Sequence, residues 1–178
     1  MIFINVFVFL VINVLLGEDY LLPFAQNNIL ILQYGEWWRL FTANWVHADI
    51  LHIASNMVAL LIFGLALENT VKKWQYLAIY LVSGFFGNVA SLFLSDPYVY
   101  SLGASGCIFG VLAASFVVNR RLDPTALIMG IIFTIFFIIL SIGPDIDVFA
   151  HIFGAAGGLL FGYAFSTKSP EERFKDVY

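Results

Sequence analysis

Residues 147–166 read DVFAHIFGAAGGLLFGYAFS. Crossing the hydrocarbon of a bilayer takes about 20 predominantly apolar residues, and this stretch supplies them. Small residues recur at every fourth place, Gly154, Gly158 and Gly162, with Ala155, Ala156 and Gly157 between them. Such a stripe lets a second helix approach closely inside a membrane. One ionisable side chain, His151, sits about one turn from the start. A charge-capable group inside a span is expensive, so it is a functional suspect by default.

Five further stretches qualify as spans or nearly do, at about 2–16, 49–67, 74–95, 104–120 and 122–142. The 178-residue chain is 61% hydrophobic and only 11% charged, where a soluble domain carries about 25% charged residues. Its mean hydropathy is +0.92. The expected fold is all-α: a polytopic membrane protein with six transmembrane helices in residues 1–166, then a short charged tail at 167–178. The run from Ile2 to Leu16 has no Lys or Arg before it and no small-residue cleavage site after it. It reads as a retained span, not a removed signal peptide. Segment 17–48 holds Pro23, Asn27, Asn28, Gly35, Trp37, Trp38 and Trp45. It is too polar to cross and rich in interfacial aromatics, which predicts a long interfacial loop, an amphipathic hairpin at the membrane surface.

Charge sets the orientation. Lys72 and Lys73 follow the second span, Arg120 and Arg121 the fourth, and Lys168, Arg173 and Lys175 the sixth, leaving only Arg39 on the other side. By the positive-inside rule both termini are cytoplasmic. Glu18, Asp19, Glu36, Asp49, Asp96, Asp145 and Asp147 fall in the opposite loops. A net charge of −4 leaves no basic patch for nucleic acid. The single cysteine, Cys107, cannot form an internal disulfide and reads as a buried structural thiol.

The intramembrane polar residues converge. Ser105 opens the fourth span within Gly103-Ala104-Ser105-Gly106, and His151 lies one turn into the sixth. His52 and Asn56, four apart, share a face of the second. At about 1.5 Å per residue, all four lie within roughly 10 Å of the non-cytoplasmic surface. A serine hydroxyl is a weak nucleophile until a base takes its proton, and histidine suits that task near neutral pH. Asn56, His52 and the Ser105 backbone N–H are candidate donors to an oxyanion. Gly106 and Gly110 form a small-xxx-small pair that matches the stripe around Gly154 and Gly158.

Gly103-Ala104-Ser105-Gly106 resembles the GxSG motif of the rhomboid family. Ala150-His151 through Gly158 resembles its AHxxGxxxG motif, His52 to Asn56 its HxxxN, and Trp38-Arg39 its WR element. The four occur in family order between residues 38 and 158. The resemblance implies a Ser105–His151 dyad that hydrolyses peptide bonds of single-span membrane proteins, with the cut expected near the outer membrane face. It also implies that His52 and Asn56 help form the oxyanion site, and that the first loop lies partly in the membrane. Many bacterial relatives carry a tyrosine four residues after the serine. Phe109 stands there, able to stack on His151 but without a hydroxyl. The expected setting is a multi-pass protein of a prokaryotic cell membrane, with no cofactor and no metal; the sequence is silent on oligomeric state.

Plainer readings exist for each residue. A serine at a helix start commonly caps, a membrane histidine commonly packs or relays protons, and Asn56 suits a bond between helices. Asp147, four before His151, is read as the cap of the sixth span, with a third triad member as its alternative. Glu36 and Arg39 are expected to pair, and His47 is left at the interface without a partner. Segment Ser141–Val148 is read as a short lid. The alternative function is an inactive rhomboid-like protein that binds membrane clients. A small transporter is disfavoured because the ionisable groups cluster at one face. A metalloprotease built on His47, Asp49 and His52 lacks H-E-x-x-H, an aspartyl protease lacks deep aspartates, and the G-x-S-x-G elbow fails at Cys107.

Overall fold

A computed structural model of the chain describes residues 1–118, 124–143 and 146–166. Apolar runs become helices because helices satisfy their backbone polar groups internally, which lipid cannot do. Helix α1 (Ile2–Phe9) continues as a π-helical segment, Leu10–Leu16, that stops at Gly17. After the first loop come α4 (Ile50–Glu68), α5 (Lys73–Leu94), α6 (Ser105–Val117), α7 (Pro124–Leu140) and α8 (Val148–Ala164). Among the described residues, α4 and α5 are long and apolar enough to cross a membrane. The segments Ile2–Leu16, Ser105–Val117, Leu127–Leu140 and Val148–Ala164 are apolar but shorter. The fold is helical as expected, with apolar helices where the six stretches were read. Arg120, Arg121, Pro144, Asp145, Lys168, Arg173, Lys175 and the tail at 167–178 lie outside the described residues.

Helix α6 is the hub, buried along almost its whole length and packed against α4, α5, α7 and α8. Its contact with α8 is backbone on backbone. A Cβ added at Gly154 would lie 2.3 Å from the Gly106 carbonyl oxygen, and one at Gly158 only 2.0 Å from that of Gly110. Helix α5 closes the third side: a Cβ at Gly87 would meet the Ala150 carbonyl at 2.5 Å. Asp147 caps α8 by accepting from the Ala150 N–H at 3.1 Å and ties it to α5 through the hydroxyls of Ser91 and Ser95. The cap reading of Asp147 is what the structure shows.

Segment 17–48 is more elaborate than a surface hairpin. Gln26–Asn27 (β1) pairs antiparallel with Tyr100–Ser101 (β2), just upstream of α6. The Asn27 side chain then caps α2 (Asn28–Tyr34), which ends at left-handed Gly35, and α3 (Arg39–Thr42) follows. Gln26 Nε2 donates to Asn28 Oδ1 and the Asn88 carbonyl, Asn28 to the Ser91 carbonyl, and Asn88 to Leu40 and Asn44. These amides are buried and bind the loop to α5. The first helix is tied in the same way: Asn5 donates to the Tyr80 hydroxyl at 3.1 Å and Asn13 to the His47 carbonyl at 3.0 Å.

Two alanine substitutions separate seam glycines from ordinary ones. Gly158→Ala should lower unfolding stability in detergent by about 3 kcal/mol or more, because backbone must move to admit the methyl. Gly64→Ala, whose Cβ would meet only the tip of Tyr76 at 2.8 Å, should cost less than about 1 kcal/mol.

Candidate active site

Ser105 begins α6, yet its hydroxyl does not cap the helix. Ala104 occupies the cap position and no side chain bonds there. Instead Ser105 Oγ lies 2.8 Å from His151 Nε2. His151 is in the first turn of α8 and is 5% exposed. The ring of Phe109, one turn into α6, stacks on it with centroids 4.5 Å apart and planes 30° from parallel. The stripe of glycines makes this meeting possible, since any larger residue on the seam would push α8 away from α6.

Gly103 shapes the approach to Ser105. Its φ of 119° lies where residues with a Cβ are strained, and a Cβ there would meet the His52 ring at 2.7 Å. His52 Nδ1 accepts the Ala48 N–H at 3.4 Å, so in the neutral ring the proton is on Nε2, the nitrogen facing Gly103. Asn56, one turn further along α4, is buried, and its Nδ2 has no hydrogen-bond partner within the protein. Two side-chain donors therefore border the turn that leads into Ser105. A cleft of about 700 Å³ opens on His52, Gly103, Ser105, Gly106 and His151.

Trp38 and Arg39 do not reach this cleft. Arg39 is buried, pairs with Glu36 at 2.6 Å and donates to the carbonyls of Leu22 and Ala25, both at 2.6 Å. Trp38 is half exposed, with its Nε1 donating to the Pro23 carbonyl. Both fasten the first loop, which in turn fastens the turn before Ser105: the Gly103 N–H donates to the Ala43 carbonyl at 2.9 Å.

Two residues that the sequence reading did not place at the site belong to it. Ser141, the first residue past α7, has its Oγ 2.9 Å from His151 Nδ1. His47, expected at the interface, is fully buried and accepts the Ala104 N–H through Nε2 at 3.4 Å. Its ring meets that of His52 edge to face at 5.2 Å. Burial pushes His47 down to about 4, the His52 ring adding to this and the Trp45 carbonyl opposing it. The spacing His47–Asp49–His52 was a usable signal: Asp49 caps α4 through the His52 N–H, and the two imidazoles lie on either side of it in sequence, against the Gly103–Ala104 turn that precedes α6.

A histidine held neutral in the fold and free to protonate when unfolded contributes stability present above its ordinary value and lost as pH falls toward its depressed one. Acidification from about pH 7 to about pH 4.5 should therefore remove roughly 2–3 kcal/mol of unfolding stability through His47. Chemical denaturation at both pH values checks this, with His47→Gln expected to be less stable at neutral pH and to show a shallower pH dependence.

Residues 34–168 match the family model of the Rhomboid domain. The chain is 34% identical over 148 residues to RHOMBOID-like protein 1 of Arabidopsis thaliana, covering 79% of this chain and 38% of that one. It is 42% identical over 140 residues to Rhomboid protease GluP of Bacillus subtilis (strain 168), covering 75% and 27%. Putative rhomboid protease YdcA of the same bacterium is 35% identical over 135 residues, covering 72% and 67%. The chain thus spans less than half the length of the first two relatives and about two-thirds of the third. A plant and a bacterium are both represented, so these relatives do not single out a prokaryotic membrane. The domain match covers most of the chain and takes in every residue of the Ser105–His151 cleft: the chain belongs to the rhomboid family.

Proposed function

We propose that this chain is an intramembrane serine endopeptidase in which Ser105 is the nucleophile and His151 the general base and acid. The observation that carries the reading is the 2.8 Å contact between Ser105 Oγ and His151 Nε2, made between two helices inside an apolar bundle. Rhomboid proteins are integral to membranes, and the names of two relatives describe proteases. In the proposed topology, residues 1–166 form one domain that crosses six times, with both termini cytoplasmic and the first loop at the outer interface. The broad apolar faces of α4 and α7, where Leu61, Ile62, Ile132 and Phe136 are exposed, suit contact with lipid.

The proposed reaction begins when a single-span membrane protein presents an unwound segment to the cleft. Ser105 Oγ attacks the scissile carbonyl carbon as its proton passes to His151 Nε2. The oxyanion accepts hydrogen bonds from Asn56 Nδ2, His52 Nε2–H and the Ser105 N–H, which as a first-turn amide has no intrahelical acceptor. The C–N bond breaks and His151 returns the proton to the leaving amine. Water then attacks the acyl-enzyme, giving its proton to His151, and Ser105 is regenerated. The unpartnered, buried Asn56 amide supports its oxyanion role, because a buried donor without a partner is costly unless it is used.

In lipid vesicles the purified protein should cleave a single-span test substrate. Ser105→Ala and His151→Ala should each lower kcat/KM by about 10³-fold or more, and Asn56→Ala by about 10²-fold, chiefly in kcat. A folded Ser105→Ala variant that cleaves as well as the parent would overturn the assignment. Retention of the substrate without cleavage by the parent protein would favour a client-binding role instead.

A further inference from the structure

Proton placement around His151 decides whether the dyad works. A neutral imidazole carries one N–H, and only the tautomer with the proton on Nδ1 leaves Nε2 free to accept from Ser105. In soluble triads a buried acid on Nδ1 holds that tautomer. Here Asp147, four residues before His151, is engaged by the Ala150 N–H and the hydroxyls of Ser91 and Ser95, and among the described residues no carboxylate is bonded to the ring.

The atom on Nδ1 is Ser141 Oγ, at 2.9 Å. A hydroxyl has one proton and two lone pairs. Ser141 Oγ also lies 2.8 Å from the Ile138 carbonyl oxygen, which can only accept. The Ser141 proton therefore goes to Ile138, and toward the ring Ser141 presents a lone pair. That arrangement requires the proton on His151 Nδ1 and leaves the Nε2 lone pair facing Ser105 Oγ. The Ile138 carbonyl also accepts the Ser141 N–H at 3.1 Å, so what disfavours the reverse arrangement is two oxygens 2.8 Å apart with no proton between them, and an N–H aimed at a hydroxyl that must give one up.

We infer that Ser141 is a positioning residue of the dyad, a neutral hydrogen-bond acceptor from α7's C-terminal end that fixes the reactive tautomer and the rotation of His151. The inference rests on the protease reading above. Phe109 sets the plane of the ring by stacking, and Ser141 sets its direction within that plane. When Nε2 takes the Ser105 proton, the Nδ1–H bond to Ser141 persists, so the imidazolium forms with both of its N–H groups already aimed. A neutral partner offers less stabilisation than a carboxylate, and it avoids placing a second acid in the apolar bundle.

The test compares the parent protein with Ser141→Ala, Ser141→Thr and Ser141→Val in vesicles with the same single-span substrate, alongside Ser105→Ala. Ser141→Ala and Ser141→Val should lower kcat between about threefold and tenfold, the range of one neutral hydrogen bond, with KM unchanged within about twofold. Ser141→Thr, which keeps the hydroxyl on a side chain shaped like valine, should restore most of the loss. The maximal rate of Ser105 labelling by a fluorophosphonate should follow the same order, free of any effect on substrate entry. Parent-like kcat and labelling in Ser141→Val, or a Ser141→Thr as impaired as Ser141→Val, would overturn the role of Ser141. If instead Ser105→Ala cleaves like the parent, the protease reading itself fails. The Thr and Val pair decides the matter even if Ser141→Ala does not fold.

Discussion

Everything at the candidate site depends on two helix backbones lying in direct contact. In lipid there is little hydrophobic drive between helices, and close packing takes its place. The Gly106 and Gly110 carbonyls occupy the space that side chains at Gly154 and Gly158 would fill. This interlock places the first turns of α6 and α8 side by side, and a separation of even 1 Å or so would pull Ser105 out of hydrogen-bond reach of His151. The contact is rigid because nothing in it can change rotamer.

The first loop supplies the second constraint. The turn through Gly103 and Ala104 has no regular structure of its own, and it is held from outside. The β1–β2 ladder holds Tyr100 and Ser101 just before it, the Ala43 carbonyl takes the Gly103 N–H and the His47 ring takes the Ala104 N–H. The loop in turn is anchored by Arg39 and by the buried amides of Gln26, Asn28, Asn44 and Asn88. In apolar surroundings such polar links are strong when complete and costly when broken. Trp38 and Arg39 thus act at a distance, through the loop they fasten.

Legibility followed the range of the interaction. The helices were readable because a spanning run is a local property, and Ser105, His151, His52 and Asn56 could be aligned by counting from helix ends. The seam was readable because glycine spacing is itself periodic. His47 and Ser141 were not, since each lies in irregular chain where no periodicity fixes direction. Their partners, Ala104 and His151, are 57 and 10 residues away. Asn5 and Asn13 read only as blemishes in a short span, because their acceptors, Tyr80 and the His47 carbonyl, exist only in the assembled bundle. The surface hairpin expected over segment 17–48 underestimated how many of its amides are buried, since composition alone does not show where a loop's polar groups point.

Those two asparagines bear on how the first helix is held. The Asn5 amide finds the Tyr80 hydroxyl on α5, and the Asn13 amide finds the His47 carbonyl in the first loop. Without those partners Asn5 would keep only its bond to the Met1 carbonyl, and a buried amide group left unpaired is costly. His47, whose carbonyl takes the Asn13 amide, also accepts the Ala104 N–H through its ring, so the first helix and the turn before Ser105 share one anchor. A displacement of His47 would therefore be felt on both sides, at the first helix and at the turn that leads into Ser105.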